Sequence, residues 1–149
     1  MQIQRILVPT DGSEPSLRAA EIAAGLAQRT GARVTLLTAV EPPEATRAYI
    51  TAEALAAVEA GLRGAAEGML DRAAARVRRI HPEVDLHVAW SSPVNAIVAE
   101  ANQGYDLIVM ASRGLGMEPS DRHLLGSVAE RVLRRAHRPV LIVPAGEAD

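Results

Sequence analysis

The residues best suited to chemistry fall in two stretches of this chain. Gly126-Ser127-Val128-Ala129-Glu130 opens a helical pattern after a long polar loop. A helix N-terminus presents N–H groups without intrahelical partners and a partial positive charge. Those are the makings of an anion site. Gly126 lets a phosphate approach the backbone, and the Ser127 hydroxyl adds a donor. Gly114 and Gly116 allow the preceding loop to fold around an anion, and Arg113 supplies a positive charge. A plainer reading stands beside this one: Ser127, with Glu130 three residues on, spells a capping box. In the other stretch, Asp11 ends an apolar run. Its carboxylate suits a ribose hydroxyl or an adenine amine, or more simply an Asx-turn before Ser13 and Glu14.

What is missing narrows the chemistry. The 149 residues contain no cysteine and no lysine, and all 16 basic residues are arginines. Disulfides, thiolate nucleophiles and cysteine zinc sites are excluded, as are a Walker-type phosphate lysine and a Schiff-base amine. A net charge of −2 gives no overall attraction to nucleic acid. The first residues lack a charged stretch followed by a long apolar run, and no uninterrupted apolar run of about 18 residues occurs. The expectation is a cytoplasmic protein with no membrane and no nucleic-acid partner. At 48% hydrophobic and 23% charged, the chain reads as one globular domain over 1–149.

The elements that must position these residues alternate along the chain. Ile3 to Pro9 is a short apolar strand ended by Asp11-Gly12. A helix follows, capped by Ser13 or Asp11, with Leu17, Ala20, Ala24 and Ala27 inward and Thr30-Gly31 closing it. Arg33 to Val40 is a second strand, and 41–50 reads as a loop carrying an exposed Tyr49. From Thr51 to about Ile80 the residues Leu55, Val58, Leu62, Ala66, Met69, Ala73, Val77 and Ile80 form one helical stripe. Gly61, Gly64 and Gly68 each weaken that helix by about 1 kcal/mol, so its first half is expected to bend or fray. Val84 to Trp90 alternates as a strand, and Pro93 opens a helix with Ile97 and Val98 inward. Asp106 to Ala111 is an apolar fourth strand, 112–125 a polar loop, 126–137 a helix and Val140 to Val143 the last strand. Trp90 and Tyr105 are read as packing residues.

Strict βαβαβαβαβ order with apolar strands predicts an α/β fold: a three-layer, doubly wound, five-stranded parallel sheet. Ligands of such sheets bind beyond the strands' carboxyl ends, where strand order reverses. The first and fourth strands are the expected neighbours at that point. Their ends carry Pro9-Thr10-Asp11-Gly12 and Ala111-Ser112-Arg113-Gly114.

Three blocks together resemble a known family. Ile6-Leu7-Val8-Pro9-Thr10-Asp11-Gly12-Ser13 looks like the opening of a universal stress protein domain. Asp106 to Gly114 resembles its fourth strand and phosphate loop. Leu124 to Leu133, then Pro139 to Pro144, resemble its closing helix and strand. The resemblance covers essentially the whole chain and implies a Rossmann-like fold of the adenine nucleotide alpha hydrolase-like kind. It also implies an ATP-binding regulator of the stress response, with magnesium held mainly through the phosphates. Carried across by position, Pro9, Thr10 and Asp11 would face the nucleoside and Ala39 the adenine. Met110, Ala111, Arg113, Gly114, Gly126, Ser127 and Val128 would line ribose and phosphates. This chain departs from the family's Gly-x-x-Gly, nine residues, Gly-Ser/Thr pattern at two points. Ala111 replaces the first glycine, and eleven residues, Leu115 to Leu125, separate Gly114 from Gly126. The departure keeps a second reading open, a dimeric interaction module of the same fold that binds no nucleotide.

No catalytic residue is expected. His81 and His137 sit at helix ends, where the helix dipole accounts for them. His87 falls on an exposed strand face, and His123 alone lies in the phosphate loop. The resemblance implies slow hydrolysis at most. Arg131, Arg134, Arg135 and Arg138 read as a solvated helix end. The resemblance also implies a homodimer paired through the last strand, Val140–Val143, which would cover an apolar edge.

Overall fold

The computed structural model describes residues 1–41, 44–114 and 125–145. Its elements are β1 (Arg5–Pro9), α1 (Glu14–Thr30), β2 (Arg33–Ala39), α2 (Glu44–Tyr49), α3 (Ala52–Arg78), β3 (Val84–Ala89), α4 (Pro93–Ala101), β4 (Leu107–Ala111), α5 (Ser127–Arg135) and β5 (Val140–Val143). The five strands form one sheet in the order β3-β2-β1-β4-β5. Every pairing is parallel, with Ile6 opposite Val34 on one side and opposite Leu107 on the other. This is the doubly wound α/β architecture expected from the element order.

Strand alternation divides the core between the two faces of the sheet. Ile6, Val8, Val34, Leu36 and Val109 turn toward α1 and α3, where they meet Ala20, Ala23, Ala24, Ala27, Leu70 and Val77. Leu7, Leu37, Ile108 and Met110 turn toward α4 and α5, against Ile97, Ala129 and Val132. The alanine-rich composition has a packing consequence. A helix whose inward positions are alanines can lie close to the sheet. The deep alanines of α1 are fully buried.

Gly31 closes α1 at φ 77, the left-handed conformation that glycine adopts at least cost. Ser13 is the N-cap, its hydroxyl accepting from the Ser16 N–H at 3.4 Å. Arg76 ties α3 to α1: its guanidinium bonds Glu14 at 3.0 Å and also pairs with Glu21. That guanidinium holds the Glu14 carboxyl below its usual value.

Three expectations need correction. The 41–50 stretch holds a helix, Glu44–Tyr49, with Tyr49 88% exposed. Six residues are too few for an apolar period to be visible, and Glu44 favours the helix by sitting in its first turn. The α3 helix runs unbroken through all three glycines. Its alanines and the Thr51 cap, which accepts from the Ala54 N–H at 3.1 Å, offset the glycine cost. Only its second half reaches the core, through Ala66, Leu70, Ala73, Ala74 and Val77, while Val58 is 38% exposed. Trp90 lies beyond β3 and stays 38% exposed, its ring 5.1 Å from the Arg63 guanidinium carbon. Tyr105, by contrast, is buried, its hydroxyl 3.0 Å from Thr35 Oγ1 and 3.1 Å from Glu100 Oε1. Burial pushes that phenol's pKa up and keeps it protonated.

Asp106 joins the starts of two central strands. Its Oδ2 accepts the N–H groups of Gln4 at 2.9 Å and Arg5 at 3.0 Å, which holds the carboxyl below the usual carboxylate range. A carboxyl whose folded pKa is depressed stabilises the fold above its unfolded pKa. That contribution disappears as pH falls through the folded value. Asp106→Asn is therefore expected to be less stable than wild type at pH 7, with the gap closing below about pH 4. Urea unfolding at pH 7, 5 and 3 measures this, and a gap independent of pH would contradict it. Among the described residues, no helix is long and apolar enough to cross a membrane.

Candidate functional site

The order β3-β2-β1-β4-β5 reverses its direction of growth between β1 and β4. The chain leaves β1 to one side and β4 to the other, so their carboxyl ends diverge and open a crevice. A cavity of about 220 Å³ occupies that crevice. Pro9, Thr10 and Asp11 form one wall and Ala39 contributes from the end of β2. Met110, Ala111, Arg113 and Gly114 come from β4 and its exit, and Gly126, Ser127 and Val128 from the start of α5. The site residues expected from the sequence thus meet at one place, except Gly116, which lies outside the described residues.

The β1 end is held by a short relay. Ser16 Oγ donates to the Ser13 carbonyl at 2.9 Å, so the 2.8 Å contact between Thr10 and Ser16 takes its proton from Thr10. Thr10 Oγ1 in turn accepts the Gly12 N–H at 3.2 Å. Asp11 Oδ1 accepts the Ser13 N–H at 2.9 Å, which is the Asx-turn. Gly12 has φ 81, and a Cβ there would come within 2.8 Å of Met69 Cγ. Glycine is needed at this turn for both reasons. The other Asp11 oxygen lies against the β4 exit: a Cβ on Gly114 would overlap Asp11 Oδ2. Without a side chain at 114, the loop after β4 approaches the carboxylate directly.

At the opposite wall the N-cap of α5 is Gly126, not Ser127. The capping-box reading therefore fails: Ser127 is the first helical residue, and no side chain caps the helix. Gly126 donates its own N–H to the Ser112 carbonyl at 2.7 Å and accepts from Glu130 N–H at 2.9 Å. The next three N–H groups, of Ser127, Val128 and Ala129, have no acceptor within a helix by geometry. They begin at the cavity, together with the positive end of the helix dipole. Ala111, where the family pattern has glycine, is a buried β4 residue paired with Val143. Extended backbone accommodates its methyl group.

The structure adds lining residues that the sequence did not single out for this role: Ser16, Leu37, Thr38, Pro93, Ile97, Ser112 and Ala129. Ile97 was expected to face inward, but toward the core in general. Pro93 and Ile97 arrive from α4, whose position over the crevice is a tertiary fact with no local signal. Ser112 joins three segments, donating N–H to Val143 O at 2.9 Å and accepting from Gly126 N–H and from Ala145 N–H at 3.1 Å.

None of the described histidines lines the cavity. His87 Nε2 lies 3.7 Å from Glu100, His81 is buried, and His137 follows the end of α5 instead of lying in its last turn. His123 lies outside the described residues. Arg134 bonds Glu130 and Arg135 bonds Asn95, each at 2.8 Å, as a solvated helix end would. No group of three or more histidine or carboxylate side chains able to hold a metal occurs among the described residues.

Comparison with known proteins agrees with this geometry. A sequence model of the universal stress protein family matches residues 2–144. A universal stress protein of Methanocaldococcus jannaschii is 37% identical over 153 aligned positions, covering 94% of this chain and 81% of the relative. Another from Thermus aquaticus is 36% identical, covering 93% of this chain and 96% of the relative. A solved universal stress protein in complex with cAMP is 28% identical with a TM-score of 0.73, covering 98% of this chain and 100% of that one. The two blocks at the carboxyl ends of β1 and β4, the glycine that opens α5 and the β3-β2-β1-β4-β5 sheet place this chain in the universal stress protein family.

Proposed function

We propose that the crevice binds an adenine nucleotide and that the protein acts as a nucleotide-responsive regulator, not as an enzyme. One observation carries the reading. The uncapped start of α5 and the Pro9–Asp11 wall face each other across one cavity, an anion site opposite a carboxylate suited to a ribose. The relative solved with cAMP supports the same ligand class. Leu37, Ala39 and Ile97 offer apolar surface to a base, and Thr38 adds a hydroxyl. ATP is the nucleotide that the family resemblance implies. With it, magnesium would be held mainly by phosphate oxygens and water.

The experiment is a thermal melt with AMP, cAMP, ADP and ATP-magnesium, using uridine nucleotides as controls. Ligand at 100 times Kd adds about 2.7 kcal/mol. For a domain of this size, that raises Tm by roughly 5–10 °C. No shift with any adenine nucleotide at millimolar concentration would refute the reading.

The same proposal includes a homodimer through β5. This strand is a sheet edge made of Val-Leu-Ile-Val, with Leu141 40% exposed and Leu133 of α5 43% exposed. The opposite edge, β3, carries Asp85 and His87, and Arg33 pairs with Asp85 at 3.2 Å. Charged edges resist strand addition, and uncharged ones invite it. A second reading, an interaction module without nucleotide, is favoured by the exposed Tyr49 and Val58 on α2 and α3. Native mass spectrometry of gently purified protein separates the two by whether a nucleotide is carried over.

A further inference from the structure

We propose that Met69 is a site of reversible oxidation by peroxide and that its sulfoxide loosens the turn between β1 and α1. The proposal does not depend on what the crevice binds. The chain has no cysteine, so its sulfur chemistry falls to four methionines. Met1 is 89% exposed and Met110 is buried in the sheet, while Met117 lies outside the described residues. Met69 is half-buried on α3, beside Leu70 and one turn from Ala66 and Ala73, all three of them buried. A small oxidant can reach a thioether at such a boundary, and the core side of the helix feels the change.

What Met69 packs against is the Gly12 turn. A Cβ at Gly12 would lie 2.8 Å from Met69 Cγ and 3.5 Å from its Sδ. The methionine thus fills the space that a side chain at position 12 would take. The turn has little freedom to adjust. Gly12 holds φ 81 and donates its N–H to Thr10 Oγ1 at 3.2 Å, and the Ser13 N–H is committed to Asp11 Oδ1 at 2.9 Å.

In the oxidation a sulfur lone pair attacks one oxygen of hydrogen peroxide. The S–O bond forms as the O–O bond breaks, so sulfur gives up two electrons and the peroxide takes them. The departing hydroxide removes the proton from the transferred oxygen and leaves as water. A flexible apolar side chain becomes a bulkier polar one. Added volume in a packed contact forces neighbours to shift. The new oxygen is an acceptor that competes for the Gly12 and Ser13 N–H groups or stays without a donor, and both outcomes weaken the turn.

The test treats the full chain with hydrogen peroxide, maps each methionine by peptide mass, and follows amide hydrogen exchange by NMR. The expected result is a gain of about 16 Da on the Met69 peptide. Exchange at the Gly12 and Ser13 N–H groups should then rise at least about tenfold. Methionine sulfoxide reductases with a dithiol should restore both readouts. Met69→Leu, of similar volume, should fold and keep slow exchange in peroxide. Met69→Gln, polar and of similar length, should show the fast exchange without any oxidant. A Met69 left unmodified while Met1 is fully oxidised overturns the proposal. So does unchanged exchange in the Met69 sulfoxide, or the same acceleration in peroxide-treated Met69→Leu, which would place the effect on another methionine.

Discussion

Gly126→Asp is expected to abolish nucleotide binding without weakening the fold. Gly126 has φ −64 and ψ 157, extended backbone that any residue adopts, so the substitution introduces no backbone strain. It occupies the N-cap of α5, where aspartate is among the best residues and slightly better than glycine. The new carboxylate would accept an N–H of the first helical turn and sit where a phosphate would otherwise lie. Two negative charges about 5 Å apart at an effective dielectric of about 20 repel by roughly 3 kcal/mol. That is on the order of 200-fold in Kd, before counting the N–H groups the carboxylate occupies. The ligand-free melting temperature should be equal to or above that of wild type, and the nucleotide-induced shift should be gone. A shift that persists in Gly126→Asp would remove the phosphate from the start of α5. Most mutations that destroy a site also destabilise the protein. This one separates the two effects because the fold and the ligand compete for the same N–H groups.

The second large effect is expected at the β5 edge, where Leu141→Lys should convert the proposed dimer into a monomer. Leu141 is 40% exposed in the single chain, so a lysine there has solvent to reach and the monomer should remain folded. Across a two-fold axis the substitution acts twice, bringing two buried positive charges into one interface. At about 2 kcal/mol for each copy, Kd for dimerisation would rise by roughly three decades. Sedimentation equilibrium should show half the wild-type mass at micromolar protein. The wild-type Tm should depend on protein concentration, and that of the variant should not. A wild-type chain that already sediments as a monomer, or a variant that dimerises as before, would exclude β5 as the interface.

The path from sequence to site was uneven for identifiable physical reasons. The five strands were legible because four are short apolar runs and β3 alternates apolar with polar residues. Their all-parallel pairing followed from the helices between them. The β1–β4 crevice was legible because a doubly wound sheet has one reversal. Less readable were features that depend on neighbours. Ser127 and Glu130 have the spacing of a capping box, yet the helix begins one residue earlier than that motif requires. The register of the first turn is set by the Gly126–Ser112 bond, a contact between distant segments. The stripe from Leu55 to Ile80 marked one face of α3, but only the second half of that helix meets the core. Helical periodicity says which residues share a face, not whether anything covers that face. Trp90 failed for the same reason. Tyr105 was read correctly, but its partners Thr35 and Glu100 come from β2 and α4.

Residue types and their order thus sufficed for the layers, the strand directions and the end of the sheet that holds the crevice. These follow from local propensity, apolar period and the handedness of crossovers, all of which act along the chain. Tertiary structure alone decided that Gly114 lies against Asp11, that Thr10 donates to Ser16, and that α4 brings Pro93 and Ile97 to the lining of the cavity. Electrostatics and close contact depend on distance in space, and sequence separation carries no information about that until the chain is packed.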